Sequence, residues 1–227
     1  MELDVASAVR NSLIVGACAA GLGFVPAVGM AWVLARLRFR GKALLTSIVT
    51  IPLVLPPVVT GLAIVALLGR HTPMGAAFDA LGLPVTFTRF GAVLAALVVG
   101  FPIYVMTIRG AFEAVDPRYE EVAATLGSPP WRGFVDITLP LALPGIVAGV
   151  VLAFARGLGE FGATVVVAGN MEGSRTIALA VYALLDAPGE DARVTTLALA
   201  GLAVSIGALL GFEALNRWQR RRLDLDA

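Results

Sequence analysis

Five apolar stretches, each long enough to cross a lipid bilayer, dominate this sequence and limit the folds open to it. A membrane-spanning helix needs about 20 mostly apolar residues. The stretches cover approximately residues 12–35, 43–68, 90–108, 141–167 and 194–215. None alternates between apolar and polar residues as a barrel strand would. We therefore predict an all-α polytopic bundle of about five transmembrane spans, forming a single domain over residues 1–227.

The overall composition agrees with a membrane protein. Charged residues make up 15% of the chain and hydrophobic residues 58%, whereas soluble domains carry roughly 25% charged residues. The net charge of +1 gives no field that would attract nucleic acid, so we expect no nucleic-acid partner. Cys18 and His71 are the only residues of their types, which excludes a zinc site built on cysteine and histidine.

Lysine and arginine residues are unevenly distributed between the spans, and this predicts the orientation. Five lie on one side: Arg10, Arg70, Arg89, Arg175 and Arg193. Eleven lie on the other: Arg36, Arg38, Arg40, Lys42, Arg109, Arg118, Arg132, Arg217, Arg220, Arg221 and Arg222. The positive-inside rule puts the richer side in the cytoplasm. We therefore expect the N-terminus outside and the C-terminus in the cytoplasm.

Two segments need not form regular spans. Residues 176–185, in the second outer loop, are apolar but too few to cross the bilayer, so they predict an interfacial or re-entrant helix. The second span contains Pro52, Pro56 and Pro57. Prolines at membrane depth free backbone carbonyls that need other partners. Either a kinked packing helix or a bend that lines a pathway would satisfy this pattern.

The longest cytoplasmic connection, at about residues 110–140, has the sequence of a folded structure. Asp116 followed by Pro117 predicts a helix start, with a capping side chain before proline at the first helical position. Gly127 suits the left-handed position that ends a helix. Ser128 before Pro129 predicts a second start. We therefore expect two short helices joined at Gly127.

The sequence of this connection is similar to that of the EAA loop of ABC-type importer permeases, which has the pattern EAA-x3-G-x9-I-x-LP. Every spacing is matched, and Val122 is the one departure, where that family most often has alanine. The matching residues are Glu121, Val122, Ala123, Gly127, Ile137, Leu139 and Pro140. The resemblance implies the type I (MetI-like) ABC importer permease fold. It also implies that the loop docks on a separate cytoplasmic ATP-binding subunit.

The chain lacks the pattern G-x-x-x-x-G-K-[ST] of a phosphate-binding loop. We therefore expect that it is not an enzyme and binds no cofactor or metal, and that ATP and magnesium belong to the partner subunit. An ion-coupled secondary transporter, the rival from another class, would usually contain internal repeats, and we find no convincing one.

Arg156 and Glu160 lie four residues apart, on one face of a helix, inside the fourth span. Ionisable residues within a span are costly and usually face a partner or a cavity. Two compatible interpretations stay open: an ion pair that neutralises itself, and a gate or bend in a pathway, where nearby glycines weaken the helix.

This segment resembles the A-R-x-x-G-E-F-G-A segment of ModB-type molybdate permeases. Sulfate or thiosulfate permeases have a related sequence motif. The matching candidates for the pathway are Arg156, Gly159, Glu160, Phe161, Gly162 and Asn170. The resemblance implies import of molybdate, with tungstate as a second substrate, across the bacterial inner membrane. It also implies a ModC-like ATP-binding dimer and a ModA-like extracytoplasmic binding protein as partners. Because each chain has one loop and few spans, we expect a twofold homodimer with the path on its axis.

Overall fold

A computed structural model describes residues 4–170, 175–185 and 187–224, and every regular element in these ranges is helical. The elements in chain order are α1 (Val5–Arg36), α2 (Lys42–Val54), α3 (Pro57–Leu68), α4 (Pro73–Ala80), α5 (Arg89–Ala114), α6 (Arg118–Thr125), α7 (Pro130–Gly133), the π-helical turn π1 (Phe134–Thr138), α8 (Leu139–Leu158), α9 (Gly162–Val167), α10 (Ile177–Leu184) and α11 (Asp191–Asp224).

Four of the described helices are long and apolar enough to cross a membrane: α1, α5, the continuous helix Pro130–Leu158, and Asp191–Ala214 of α11. The bent pair of α2 and α3 passes the same test as a fifth. This confirms the prediction of an all-α bundle with about five spans. The predicted cytoplasmic charge includes Arg220, Arg221 and Arg222. Their side chains lie outside the described part of the chain.

The core lies where α5 packs between α1 and α8. Tyr104, Ile108 and Phe112 of α5 are buried there. Helices in lipid gain little hydrophobic energy by associating, so small residues at the contacts let the backbones approach and pack. A Cβ atom on Gly149 of α8 would lie 2.7 Å from Ile108 Cγ1, too close for any larger residue without movement. The Tyr104 hydroxyl donates to the Ala20 carbonyl of α1 at 3.2 Å.

The second predicted span is not one helix. It breaks after Val54 into α2 and α3, whose axes differ by 115°. Leu55 and Pro56 have extended backbone, and Pro57 occupies the first turn of α3. The break follows from the two prolines, because a residue before proline avoids helical backbone angles. A bend is therefore present, and α3 turns to pack against α9.

The fourth predicted span, residues 141–167, is also placed differently. The helix starts at Pro130, eleven residues earlier than predicted, and ends at Leu158. Residues 159–161 are not helical, and α9 follows as a separate short helix. Pro140 has no N–H group and its ring would crowd the carbonyl four residues back, at Asp136. That residue lies in π1, whose wider turn lets the helix continue through the proline.

The apolar segment at residues 176–185 forms α10, which at 8 residues is too short to span. The Thr176 hydroxyl accepts the Leu179 N–H at its start. The Ile177 N–H donates to Ser12 Oγ of α1 at 2.8 Å, and Leu179 and Ala180 are fully buried. A short helix is confirmed, and its interfacial or re-entrant position in the membrane stays a prediction.

Candidate functional site

The helix α6 lies in the loop between α5 and the helix Pro130–Leu158. Local capping hydrogen bonds fix both of its ends. Asp116 Oδ1 accepts the Arg118 N–H at 2.9 Å. The helix starts at Arg118, one residue later than the proline predicted as its first position. At its other end Gly127 has φ +84°, which confirms the predicted left-handed position. The N–H groups of Gly127 and Ser128 donate to Ala124 and Ala123, each at 3.0 Å. These two bonds are the Schellman pattern.

The predicted second short helix does not exist as a separate element. The next helix begins at Pro130, after extended Pro129, and continues into α8. Ser128 was predicted to cap it, but its N–H closes α6 instead. Ile137, Leu139 and Pro140 of the loop pattern therefore lie in the first turns of a membrane-spanning helix, not in a loop.

We expect Gly127→Ala to destabilise the permease. A side chain in the left-handed region costs about 1–2 kcal/mol, which corresponds to a lowering of the unfolding midpoint by roughly 2–8 °C. Gly110→Ala is the matched control, because both glycines face open space but Gly110 has ordinary helical backbone. Thermal unfolding of both purified variants in detergent checks this. Equal midpoints would show that the left-handed position carries no strain.

The outer face of α6 carries apolar side chains with nothing over them. No residue of α6 is buried. Tyr119, Val122 and Leu126 are 57%, 59% and 83% exposed, and Trp131 is 62% exposed. Glu121 also lies on the exposed surface. Exposed apolar side chains grouped on one face of a helix are typical of a protein-binding site. We call Tyr119, Val122 and Leu126, together with Glu121 at the adjoining edge of the helix, the outer face of the loop.

The inner side of α6 is fixed by a residue that the sequence interpretation missed. Glu120 Oε1 lies 3.5 Å from Arg36 Nη2 at the end of α1. The same oxygen accepts a hydrogen bond from the Thr138 hydroxyl at the end of π1. Neighbouring residues of a helix point about 100° apart. The side chains of Glu120 and Glu121 can therefore take opposite roles, one towards the spans and one outward.

At the other end of α8, Arg156 and Glu160 form the predicted ion pair. Arg156 Nη1 lies 2.8 Å from Glu160 Oε2, and the two side chains are 30% and 2% exposed. Glu160 is not inside the helix, however, because α8 ends at Leu158. Its other oxygen accepts the Ala163 N–H of α9 at 2.8 Å. Glu160 thus joins the two helices across the break at residues 159–161.

The neighbours of Glu160 make this break a meeting point of several elements. A Cβ atom on Gly162 would lie 2.8 Å from Pro57 Cβ, so α9 touches the start of α3. The Phe161 ring lies 5.1 Å from the Tyr182 ring of α10. Gly159 is exposed, with open space around its Cα. A displacement here would reach α3, α8, α9 and α10 together.

Asn170 belongs to a different contact. Its Oδ1 accepts a hydrogen bond from Arg175 Nε at 2.6 Å. The Arg175 carbonyl in turn accepts from Asn11 Nδ2 of α1 at 3.0 Å. The predicted pathway residues therefore fall into two groups, the Arg156–Glu160 break and the Asn170–Arg175 contact. Both are distant from α6, since the 20 residues of α8 extend about 30 Å.

Residues 27–225 match the family model described as "Binding-protein-dependent transport system inner membrane component". The chain belongs to this family. It is accordingly a multi-pass inner-membrane permease subunit, as the several apolar helices require.

Curated relatives of this permease cover nearly its whole length. It is 45% identical over 217 residues to the molybdenum transport system permease protein ModB of Escherichia coli (strain K12), which covers 95% of each chain. The ModB protein of Haemophilus influenzae is 42% identical over 219 residues, covering 96% of each. That of Mycobacterium tuberculosis is 45% identical over 184 residues, covering 81% of this chain and 68% of the relative.

Solved structures with low sequence identity share the permease fold. The chain superposes on the MetNI methionine ABC transporter with a TM-score of 0.71 at 16% identity, covering 95% of each chain. A bacterial transporter that imports alginate also gives 0.71 at 19% identity, covering 97% of this chain and 80% of that one. The likeness confirms the predicted type I importer permease fold.

Proposed function

We propose that this permease is the membrane subunit of an ATP-driven importer for the molybdate oxyanion. The observation that carries the proposal is 45% identity to the molybdenum permease of Escherichia coli along 95% of both chains. Tungstate is the expected second substrate, because the two dianions have nearly the same size and charge. The relatives do not favour the sulfate or thiosulfate alternative, and the family does not favour a secondary transporter.

The outer face of the loop is the proposed docking surface for a cytoplasmic ATP-binding subunit. Its support is the exposure of Tyr119, Val122 and Leu126 beside Glu121. Such a subunit would bind ATP and magnesium and cover these side chains. The N-terminus then lies outside and the C-terminus in the cytoplasm, because the loop lies on the side richer in arginine and lysine.

We further propose that two copies assemble around a twofold axis and receive molybdate from an extracytoplasmic binding protein. One permease contributes too few spans to enclose a polar path for a dianion, whereas two copies would supply two docking loops and a path on the axis. The break at residues 159–161, with Arg156, Glu160 and Gly162, is the proposed gate region, and Asn170 is a separate proposed pathway residue. The support for the gate is the contact of four elements at one break between helices.

Uptake by reconstituted vesicles tests the function directly. The permease is reconstituted with an ATP-binding subunit and a molybdate-binding protein from the same organism, and radiolabelled molybdate uptake is measured. We expect uptake to require ATP inside, to continue when ion gradients are collapsed, and to be inhibited by excess tungstate far more than by sulfate. Uptake without nucleotide would contradict an ATP-driven importer. Stronger inhibition by sulfate would assign the permease to sulfate instead.

A further inference from the structure

Three elements meet at the inner side of α6. Arg36 is the last residue of α1, Glu120 lies in the first turn of α6, and Thr138 ends π1 just before α8. One carboxylate oxygen of Glu120 serves both neighbours, as the ion partner of Arg36 at 3.5 Å and as the acceptor for the Thr138 hydroxyl. A single side chain therefore connects the loop helix to two separate membrane spans.

Two of the three residues in this connection are shielded from solvent. Thr138 is fully buried, and the Arg36 side chain is only 14% exposed. The Nε and Nη2 atoms of Arg36 are buried without a hydrogen-bond partner in the described part of the chain. An arginine at the end of a span needs a compensating charge or hydrogen bonds. Glu120 supplies that charge, so α1 has an electrostatic reason to hold α6 in place.

Aromatic side chains and close helix contacts surround this connection. The Phe134 ring lies 6.0 Å from the Trp32 ring, one turn before Arg36 on α1. It lies equally far, at 6.0 Å, from the Phe112 ring of α5. The Cα atom of Glu120 would lie 4.0 Å from a Cβ atom on Gly133, so α6 sits close against α7. Movement of α6 would therefore be resisted by packed spans and transmitted to them.

We propose that Arg36, Glu120 and Thr138 form a latch that transmits movement of α6 to α1 and α8. Glu121, on the exposed side, contacts the ATP-binding subunit, and Glu120 passes the resulting displacement inward. This inference rests on the proposed docking role of the outer face. It gives separate tasks to two adjacent glutamates and makes Glu120 a positioning residue for coupling.

Glutamine at the two positions separates these tasks. Glu120→Gln keeps an acceptor for Thr138 but removes the charge that faces Arg36. We expect the assembled transporter to retain its ATP-binding subunits and to hydrolyse ATP, while molybdate taken up per ATP falls about five- to tenfold. Glu121→Gln instead weakens binding of the ATP-binding subunit. If both variants lower uptake per ATP equally, or Glu120→Gln leaves it unchanged, the latch is contradicted.

A charge exchange shows whether Arg36 is the partner. Arg36→Glu and Glu120→Arg should each lower uptake per ATP, and the double variant should recover much of the loss. Arg38→Glu combined with Glu120→Arg is the matched control, since Arg38 is an exposed cation two residues away. Recovery in the control equal to that in the Arg36 pair would overturn the assignment of Arg36.

A measurement on the permease alone keeps the latch distinguishable from the docking proposal. Spin labels at Thr125 of α6 and Leu143 of α8, both exposed, report their separation in a background with Cys18 replaced by serine. Glu120→Gln should broaden the distance distribution, and Glu121→Gln should leave it narrow. An unchanged distribution in Glu120→Gln overturns the latch. Wild-type subunit binding by Glu121 variants overturns only the docking proposal.

Discussion

Replacement of Glu160 by alanine is expected to lower ATP-dependent uptake about tenfold or more, through loss of a nearly buried charge partner. Arg156 would then lack its partner at 2.8 Å in the membrane-spanning region. The Ala163 N–H at the start of α9 would lose its acceptor at the same time. Breaking a buried pair costs about 3–5 kcal/mol, and the 30% exposure of the Arg156 side chain reduces that figure.

The double variant Arg156→Gln with Glu160→Gln separates charge balance from shape. It keeps an acceptor for Ala163 and leaves no unpaired charge, so it should insert and unfold like the natural permease. Glu160→Ala alone should lower both the unfolding midpoint and uptake per folded molecule. Vesicle uptake normalised to permease content is the measurement. If Glu160→Ala is expressed normally and takes up molybdate at the wild-type rate, Glu160 has no role in the pathway.

The double variant also distinguishes the two interpretations of the pair. If the pair only neutralises itself, restoring charge balance restores uptake. If it acts as a gate, uptake stays low although stability returns. The contacts of Glu160 fit both roles, because it is an ion partner of Arg156 and also accepts the Ala163 N–H at the start of a short helix after the break.

The sequence predicted those parts of the fold that depend on local chemistry. Long apolar stretches predict spans because the bilayer core requires internal hydrogen bonding and apolar side chains. Gly127 was predicted correctly because a left-handed position after a helix strongly favours glycine. The short helix α10 was predicted from length alone, because its apolar segment has too few residues to cross the bilayer. None of these needs knowledge of distant contacts.

Features that depend on distant contacts were missed or misplaced. Pro56 and Pro57 predict a bend but not its 115° angle, with which α3 packs on the distant helix α9. The connection was predicted to end at about Pro140, whereas π1 lets one helix run through that proline. Glu120 and Glu121 are identical in type and adjacent. The positions of Arg36 and Thr138, both distant in the chain, distinguish the inward one.

Charge reversal at Glu121 is expected to prevent assembly with the ATP-binding subunit and to lower ATP-dependent uptake about tenfold or more, as loss of an interface charge can. Glu121 lies beside Val122 at the edge of the outer face, so a lysine there places the wrong charge at the proposed interface. The permease itself should insert and unfold normally, because no residue of α6 is buried. Co-purification of the ATP-binding subunit, followed by vesicle uptake, measures both effects.

Asp79→Lys is the matched control for that reversal. Asp79 is an exposed carboxylate on α4, which precedes α5, whereas α6 follows it. The two acidic residues therefore lie beyond opposite ends of a 26-residue span, which is about 39 Å long. An ATP-binding subunit docked on the outer face cannot reach Asp79, so that variant should assemble and transport normally. If Glu121→Lys also assembles and transports normally, the loop is only a connector. If both reversals fail equally, the loss comes from net charge and not from docking.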